Sequence, residues 1–524
     1  MGTKPLLHLL FLLFLSYHCR IKAETEVAAL LKWKSRLSSP ISLLSWSSSN
    51  ASSLCNWHGI TCNSAGRVTA LELHNPDLEG NLDDLNFTAL STLTQLNLNN
   101  NMLSESIPGT ISALSNLTFL DLSSNGFAKM PPEIGSLLNL LDLRLFNNNL
   151  ADAIPYQLSY LKKVRHVDLG FNYFTNPDNS QFQVMPSLVN LSLTLNSLDN
   201  EFPAFILQCP NLIYLDLSRN NFSGPIPENI GTQLVNLEYL NLDFNSFNGK
   251  IPLSLAKLPK LRDLRLGSNF FTGRIDTAFG NLSNLQFLEL GNNTLEGPIP
   301  SSFGKLGKLE HLDLNLANLN SSIPPELGFC RKLYFINLSN NQLTGGLPPS
   351  FSNLTQMMYF GVSGNSLSGN ISPDLFVSWT HLVSFQVQNN NFSGIFLGGR
   401  FGNRFDDLVF YTNNFTGPIP EEIGKLVNLV QLDLSMNYLV GPIPKTIGNL
   451  KQLNSLSLFY NNLNGTIPEE IGNLIALQSL DINTNLLEGV LPVQFLIWRI
   501  CGFSPSSQTS SLARSLRISA KIAR

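Results

Sequence analysis

Residues 212–227 read Leu212-Ile213-Tyr214-Leu215-Asp216-Leu217-Ser218-Arg219-Asn220-Asn221-Phe222-Ser223-Gly224-Pro225-Ile226-Pro227. Leu215 and Leu217 alternate with outward residues, the period of a short strand with one buried face. Asn220 closes the strand, Phe222 follows two residues on, and Gly-x-Ile-Pro ends the unit. Outward from here the same order recurs from Val68 to Pro492. Its anchors fall at 76, 101, 125, 148, 172, 196, 220, 245, 269, 293, 317, 341, 365, 390, 413, 437, 461 and 485. These are eighteen units with a mean period of about 24 residues. Sixteen anchors are Asn, the exceptions being Pro76 and Ala317, and the position two beyond is Leu or Phe every time.

Such a period marks stacked coils rather than several globular domains. Each strand is expected to pair with its equivalent in the next coil. The result is a right-handed α/β solenoid with one long parallel sheet on its concave face and short 3-10 or helical returns. A ladder of Asn side chains is expected to satisfy buried backbone amides in the turns. Ile-Pro, as in Ile226-Pro227 and Ile443-Pro444, holds the return extended and removes one donor. Gly224, Gly297, Gly417 and Gly465 lie four beyond their anchors, where the chain must bend tightly. Residues 173–187 and 393–407 lack this turn, and read either as drifted surface coil or as a reshaped rim that receives a partner.

Of 524 residues, 33 are Lys or Arg and 37 Asp or Glu, a net charge of −4. Charged residues make up 13%, about half the usual ~25%. A weakly charged, near-neutral chain is a poor partner for nucleic acid, and 43% hydrophobic residues exclude disorder. Residues 1–23 read as a secretory signal peptide, with Lys4, an apolar run from Leu6 to Leu15 and a small Ala23. Secretion favours a disulfide between Cys55 and Cys62 over a zinc site, for which only His58 and His74 are near. The expected organisation is therefore a signal at 1–23, an N-terminal cap at 24–67, repeats over 68–492 and an atypical tail at 493–524.

These repeats resemble the extracellular region of plant leucine-rich-repeat receptor-like kinases, whose L-x-G-x-I-P signature residues 212–227 carry. Ala28-Ala29-Leu30-Leu31-Lys32-Trp33-Lys34, Trp46 and the Cys55/Cys62 pair match that family's N-terminal cap. The resemblance spans about residues 24–492. It implies a cell-surface receptor that recognises a secreted peptide or protein and then a shorter co-receptor kinase, in defence or development. Such receptors usually continue with a second cysteine pair, a membrane span and a kinase. Here a lone Cys501 follows, and Phe495 to Phe503 is too short to span and contains Arg499. The chain is expected to be such a receptor cut short before its membrane span and kinase. The alternatives are a secreted inhibitor of a cell-wall-degrading enzyme, or an inactive truncated product.

Candidate chemistry is sparse. His166 and His311 share a strand position six repeats apart, about 29 Å at the spacing of parallel strands, so they cannot share a metal. Cys209 and Cys330 are five repeats apart and read as buried apolar residues. With no kinase, esterase-elbow or zinc-protease motif, the chain is read as non-enzymatic, without cofactor or metal. Binding falls to the outward positions six, four, two and one before each anchor. Aromatics recur at the first of these, at Phe119, Tyr214, Tyr239, Phe287, Phe335 and Tyr359. Mixed charges beside them suit a peptide bearing both signs. The expected footprint is Tyr214, Asp216, Arg219, Tyr239, Asp243, Phe244, Asp263 and Arg265, with Asp142, Arg144, Phe146, His166 and Asp168 second. Fourteen glycosylation sequons begin at Asn50, Asn86, Asn116, Asn190, Asn221, Asn281, Asn292, Asn320, Asn337, Asn353, Asn370, Asn391, Asn414 and Asn464. Those at Asn190, Asn292 and Asn337 would obstruct the concave face and so frame the footprint.

Overall fold

Leucines two apart form three-residue strands along the chain. The computed structural model describes residues 25–38, 41–74, 78–396 and 405–492. The expected signal peptide, the Pro76 anchor, most of the irregular stretch at 393–407, and the tail with Cys501 lie outside the described residues. Two units are present, one running to Phe222 and the other starting at Ser223.

In the first unit, strands Val68–Glu72, Gln95–Asn97, Phe119–Asp121, Asp142–Arg144, His166–Asp168, Asn190–Ser192 and Tyr214–Asp216 pair in parallel, each with the next. In the second, the parallel run extends from Tyr239–Asn241 to Ser479–Asp481. Central leucines such as Leu143, Leu264 and Leu432 are fully buried, each contributing about 1.5–3 kcal/mol. Cys209 and Cys330 are buried among them.

The Asn ladder exists, with a division of labour that differs from the expectation. Asn269 donates its amide to the carbonyls of Leu242 (2.9 Å), Leu266 (3.3 Å) and Gly267 (3.0 Å). Its oxygen accepts the Phe247 N–H at 3.0 Å. Carbonyls outnumber amides because the chain turns away just after the strand, stranding its last oxygens. Where Ala317 replaces the anchor, Asn341 Oδ1 takes both the Ala317 and Leu319 N–H groups (3.1 and 2.9 Å). The residue before most anchors is left-handed even when bulky, as at Phe244 (φ 54°) and Tyr460 (φ 53°). A non-glycine residue there costs roughly 1–2 kcal/mol, which the Asn bonds offset.

Returns are short 3-10 turns such as Ser301–Lys305, entered from Pro300 at φ −63°, ψ 128°, the extended geometry expected of Ile-Pro. A second, lateral parallel sheet forms beside the Gly-x-Ile-Pro segments, as in Ser246–Lys250, Phe270–Arg274 and Thr294–Glu296. In the first unit it comprises Glu79–Gly80, Met102–Ser106 and Gly126–Lys129. Beyond these, Asp152 stands where most later repeats have Gly. Within 173–187 the missing turn is replaced by a loop whose Phe182 packs on Phe205 at 4.1 Å.

The cap closes the first edge of the sheet. Helix Glu26–Lys34 starts at Thr25, whose hydroxyl accepts the Ala28 N–H. Buried Glu26 accepts from Arg67 Nε at 2.8 Å and from the Val68 N–H at 3.2 Å. Trp33, Trp46 and Trp57 pack in sequence (6.2 and 5.7 Å between centroids). Ile60–Cys62 pairs antiparallel with Val68–Glu72, and Cys55 and Cys62 are disulfide-bonded. An antiparallel partner and a crosslink blunt an edge that would otherwise invite further strands.

Candidate functional site

Strand residues two apart face the same way, so an Asp and an Arg at i and i+2 can meet without leaving the sheet. In the first unit Arg144 grips Asp142 through two bonds (3.0 and 2.8 Å) and lies 5.3 Å from the Phe119 ring. In the second unit Asp263-Leu264-Arg265 repeats the device. Arg265 holds Asp263 at 2.8 and 2.9 Å, with its guanidinium 5.8 Å from the Tyr239 ring and 5.7 Å from the Phe287 ring. Both arginines, expected as ligand anchors, are already committed to a neighbouring carboxylate.

The remaining candidates of the first unit serve local structure as well. Asp216 is buried, and one oxygen accepts the Ser218 N–H and hydroxyl (2.9 and 2.6 Å). Tyr214 reaches its other oxygen at 3.4 Å. Asp168 accepts the Gly170 N–H at 3.0 Å, and burial raises its carboxyl above the usual range. Phe146 meets Phe171 edge-on at 5.0 Å. His166 lies half-buried on its strand, and Arg219 occupies a left-handed position.

In the second unit the structure brings together more than the sequence reading singled out. Asp243 accepts the Gly267 N–H and shares a hydrogen bond with Glu289, two strands on. Gly267 has no side chain to block that reach. Burial, then the Glu289 charge, pushes the Asp243 carboxyl up to about 8. Burial also pulls Glu289 upward, but His311 and Arg265 outweigh it and hold this carboxyl below its usual range. Glu289 Oε1 lies 3.2 Å from His311 Nε2, off the line of a good hydrogen bond, and 3.7 Å from Arg265. Burial raises Asp263 and Asp313 as well. Phe244, on the same stretch, is half exposed.

Beside this cluster runs a ladder of stacked rings. Centroids lie 5.7 Å apart from Phe287 to His311, 4.1 Å from His311 to Phe335 and 4.5 Å from Phe335 to Tyr359. Tyr359 donates to Gln386 Oε1 at 3.2 Å and leans over Gly361, where any Cβ would press on its ring. Glu289 and Asp313 were not singled out from the sequence, and His311 was weighed only against His166 as a metal ligand. The signal was the period itself, since residues one repeat apart are in register. The sequons at Asn190 and Asn337 lie on concave strands, and Asn292 is exposed at the adjoining turn. Among the described residues no group of three or more acidic, His or Cys side chains could hold a metal, and no helix is long and apolar enough to cross a membrane.

Comparison with known proteins fits this architecture. Residues 85–278 match the leucine-rich repeat region family, and 259–319, 332–354, 428–450 and 452–474 match further leucine-rich repeats. Residues 23–63 match the leucine-rich repeat N-terminal domain. Every family match is to the repeats or their cap, and no kinase domain is among them. The structure is similar to the plant peptide hormone receptor RGFR1 solved with RGF2, at 34% identity and TM-score 0.72, covering 83% of this chain and 73% of that one. It is also similar to the Arabidopsis receptor kinase HAESA solved with the peptide hormone IDA and the co-receptor SERK1. The values there are 29% identity, TM-score 0.66, and 90% and 91% coverage. A probable leucine-rich repeat receptor-like protein kinase of Arabidopsis thaliana is 40% identical over 116 residues, 20% of this chain and 10% of that one. Matches to this and other curated relatives span between 8% and 20% of the relatives' own length.

Proposed function

Because this chain belongs to the leucine-rich-repeat ectodomains of plant receptor-like kinases, we propose that it is the ligand-recognising part of a cell-surface receptor for an extracellular peptide. The observation that carries this reading is the second unit's concave face. Its rings and charges are held by one another before any ligand arrives, as in the Asp263–Arg265 clamp between Tyr239 and Phe287. Fixed side chains lose little entropy on binding, and that suits recognition of a flexible chain. Tyr239, Asp243, Phe244, Asp263 and Arg265 form the proposed contact set in this unit. Tyr214, Asp216 and Arg219, and then Asp142, Arg144, Phe146, His166 and Asp168, are the set in the first.

A co-receptor contact is proposed on the last repeats. Met436 (43% exposed), Tyr438 (55%) and Tyr460 (56%) present apolar surface there, and exposed aromatics and Met are typical of such anchors. The proposed place of action is outside the cell, and the signalling output lies in defence or development.

The test immobilises the secreted chain and selects from a random dodecapeptide library. Retained peptides are expected to lose about 10-fold or more affinity when Asp263 and Arg265 are both changed to Ala. Substitution of Lys425, in a return turn, should leave binding unchanged. Selected peptides indifferent to every concave substitution would overturn the reading.

A further inference from the structure

We propose that the step between Glu289 and Asp313 on the second unit's concave face is the seat for a basic side chain, Arg or Lys, of the bound peptide. This rests on the peptide-receptor reading and specifies the ligand's chemistry.

Charge is the first argument. Asp263, Arg265, Glu289 and Asp313 stand on three successive strands, Glu289 in register with both Arg265 and Asp313. Three carboxylates face one guanidinium and the His311 imidazole, which lies 3.2 Å from Glu289, and the guanidinium is spent on Asp263 through both its bonds. Asp313 uses one oxygen on the Asn315 N–H (2.9 Å) and receives only a long bond from Asn337 (3.3 Å) on the other. Glu289 retains a 23% exposed side chain beside it. A partly dry surface with surplus negative charge is complementary to a cation.

Polar satisfaction is the second argument, independent of charge. Ser339 Oγ, on the repeat next to Asp313, is buried without a hydrogen-bond partner. Ser339 is 6% exposed. Its hydroxyl lies about the same short distance as the Tyr359 phenol from the point where a Gly361 side chain would begin. The Tyr359 ring and this hydroxyl crowd Gly361, which is in register with Asn337, and a buried polar group left unpaired is costly.

Shape is the third. The stacked rings cover one another's faces, so their edges form a hydrophobic kerb along the seat for the methylene stem of Lys or Arg.

The test takes the dodecapeptides retained by the secreted full chain and resynthesises each with Arg as citrulline or Lys as acetyl-lysine. Each retained peptide is expected to carry a basic residue whose neutralisation costs about 10-fold or more in affinity. Glu289→Gln with Asp313→Asn should erase that penalty, and Asp313→Glu should restore it. Asp433→Asn, farther along the face, should leave it intact. Thermal melts confirm that each variant is folded. Retained peptides without a basic residue, or a penalty unchanged in the double variant, overturn the basic seat and leave the receptor reading standing. A library from which nothing is retained overturns both.

Discussion

At the scale of single residues, Asp243 carries a carboxyl that burial and a neighbouring Glu289 hold far above its usual range. Its carboxyl is pushed up to about 8, whereas an unfolded Asp titrates near ~4. Between those values the folded chain keeps a proton that the unfolded chain has lost. The resulting stability is complete below about pH 4 and is lost as pH rises through about 8. The melting temperature is therefore expected to fall between about pH 5 and pH 8, and to fall less in Asp243→Asn. The Asn would still accept from Gly267 and donate to Glu289, without a proton to lose. Parallel slopes for the two proteins would refute the assignment. Arg265 teaches a related lesson about anchors. Its charge is claimed first by Asp263, and its guanidinium packs near the Tyr239 and Phe287 rings.

At the scale of elements, the 3-10 returns explain glycines that the bend argument did not reach. A Cβ on Gly280 would collide with the carbonyl of Ser302 in the next return, and one on Gly424 with that of Thr446. A Cβ on Gly307 would meet nothing within 4 Å. Gly280→Ala is accordingly expected to cost about 2 kcal/mol or more. Gly307→Ala should be neutral or stabilising by up to about 1 kcal/mol. Chemical unfolding of the two variants settles it, and equal effects would mean the returns are not packed backbone to backbone. The contrast also shows what could be read in advance. Strand positions and anchors follow from period two inside a longer repeat, and both were legible. Gly280 is not, because its reason lies one coil away. The left-handed turns at Phe244 and Tyr460 are hidden too, since bulky residues there argue against such a backbone. In the site, single residues such as Asp263 and Arg265 were legible, while their mutual pairing and the meeting of Glu289 with His311 depend on side-chain reach.

At the scale of the molecule, each coil is stabilised by its neighbours, so the ends matter more than their size suggests. The cap bears the first edge on three tryptophans and one disulfide. Replacing Cys55 and Cys62 by Ser is expected to cost about 2–3 kcal/mol, from the chain-entropy cost of the short loop. Tryptophan fluorescence should then report cap loss at a lower denaturant concentration than in the wild type. An unchanged midpoint would show that the tryptophan cluster alone holds the edge.

The ring ladder carries one more implication. Strands in a sheet sit about 4.8 Å apart, yet His311, Phe335 and Tyr359 follow one another at 4.1 and 4.5 Å. On the inner side of a curved sheet these rings are nearly in contact already. They act as a mechanical stop: this stretch can flatten, but it cannot curl more tightly around whatever it holds. A peptide of the proposed kind would have to match a curvature set in advance, with the rings as a ruler against which a chain of the wrong pitch falls out of step within a few residues.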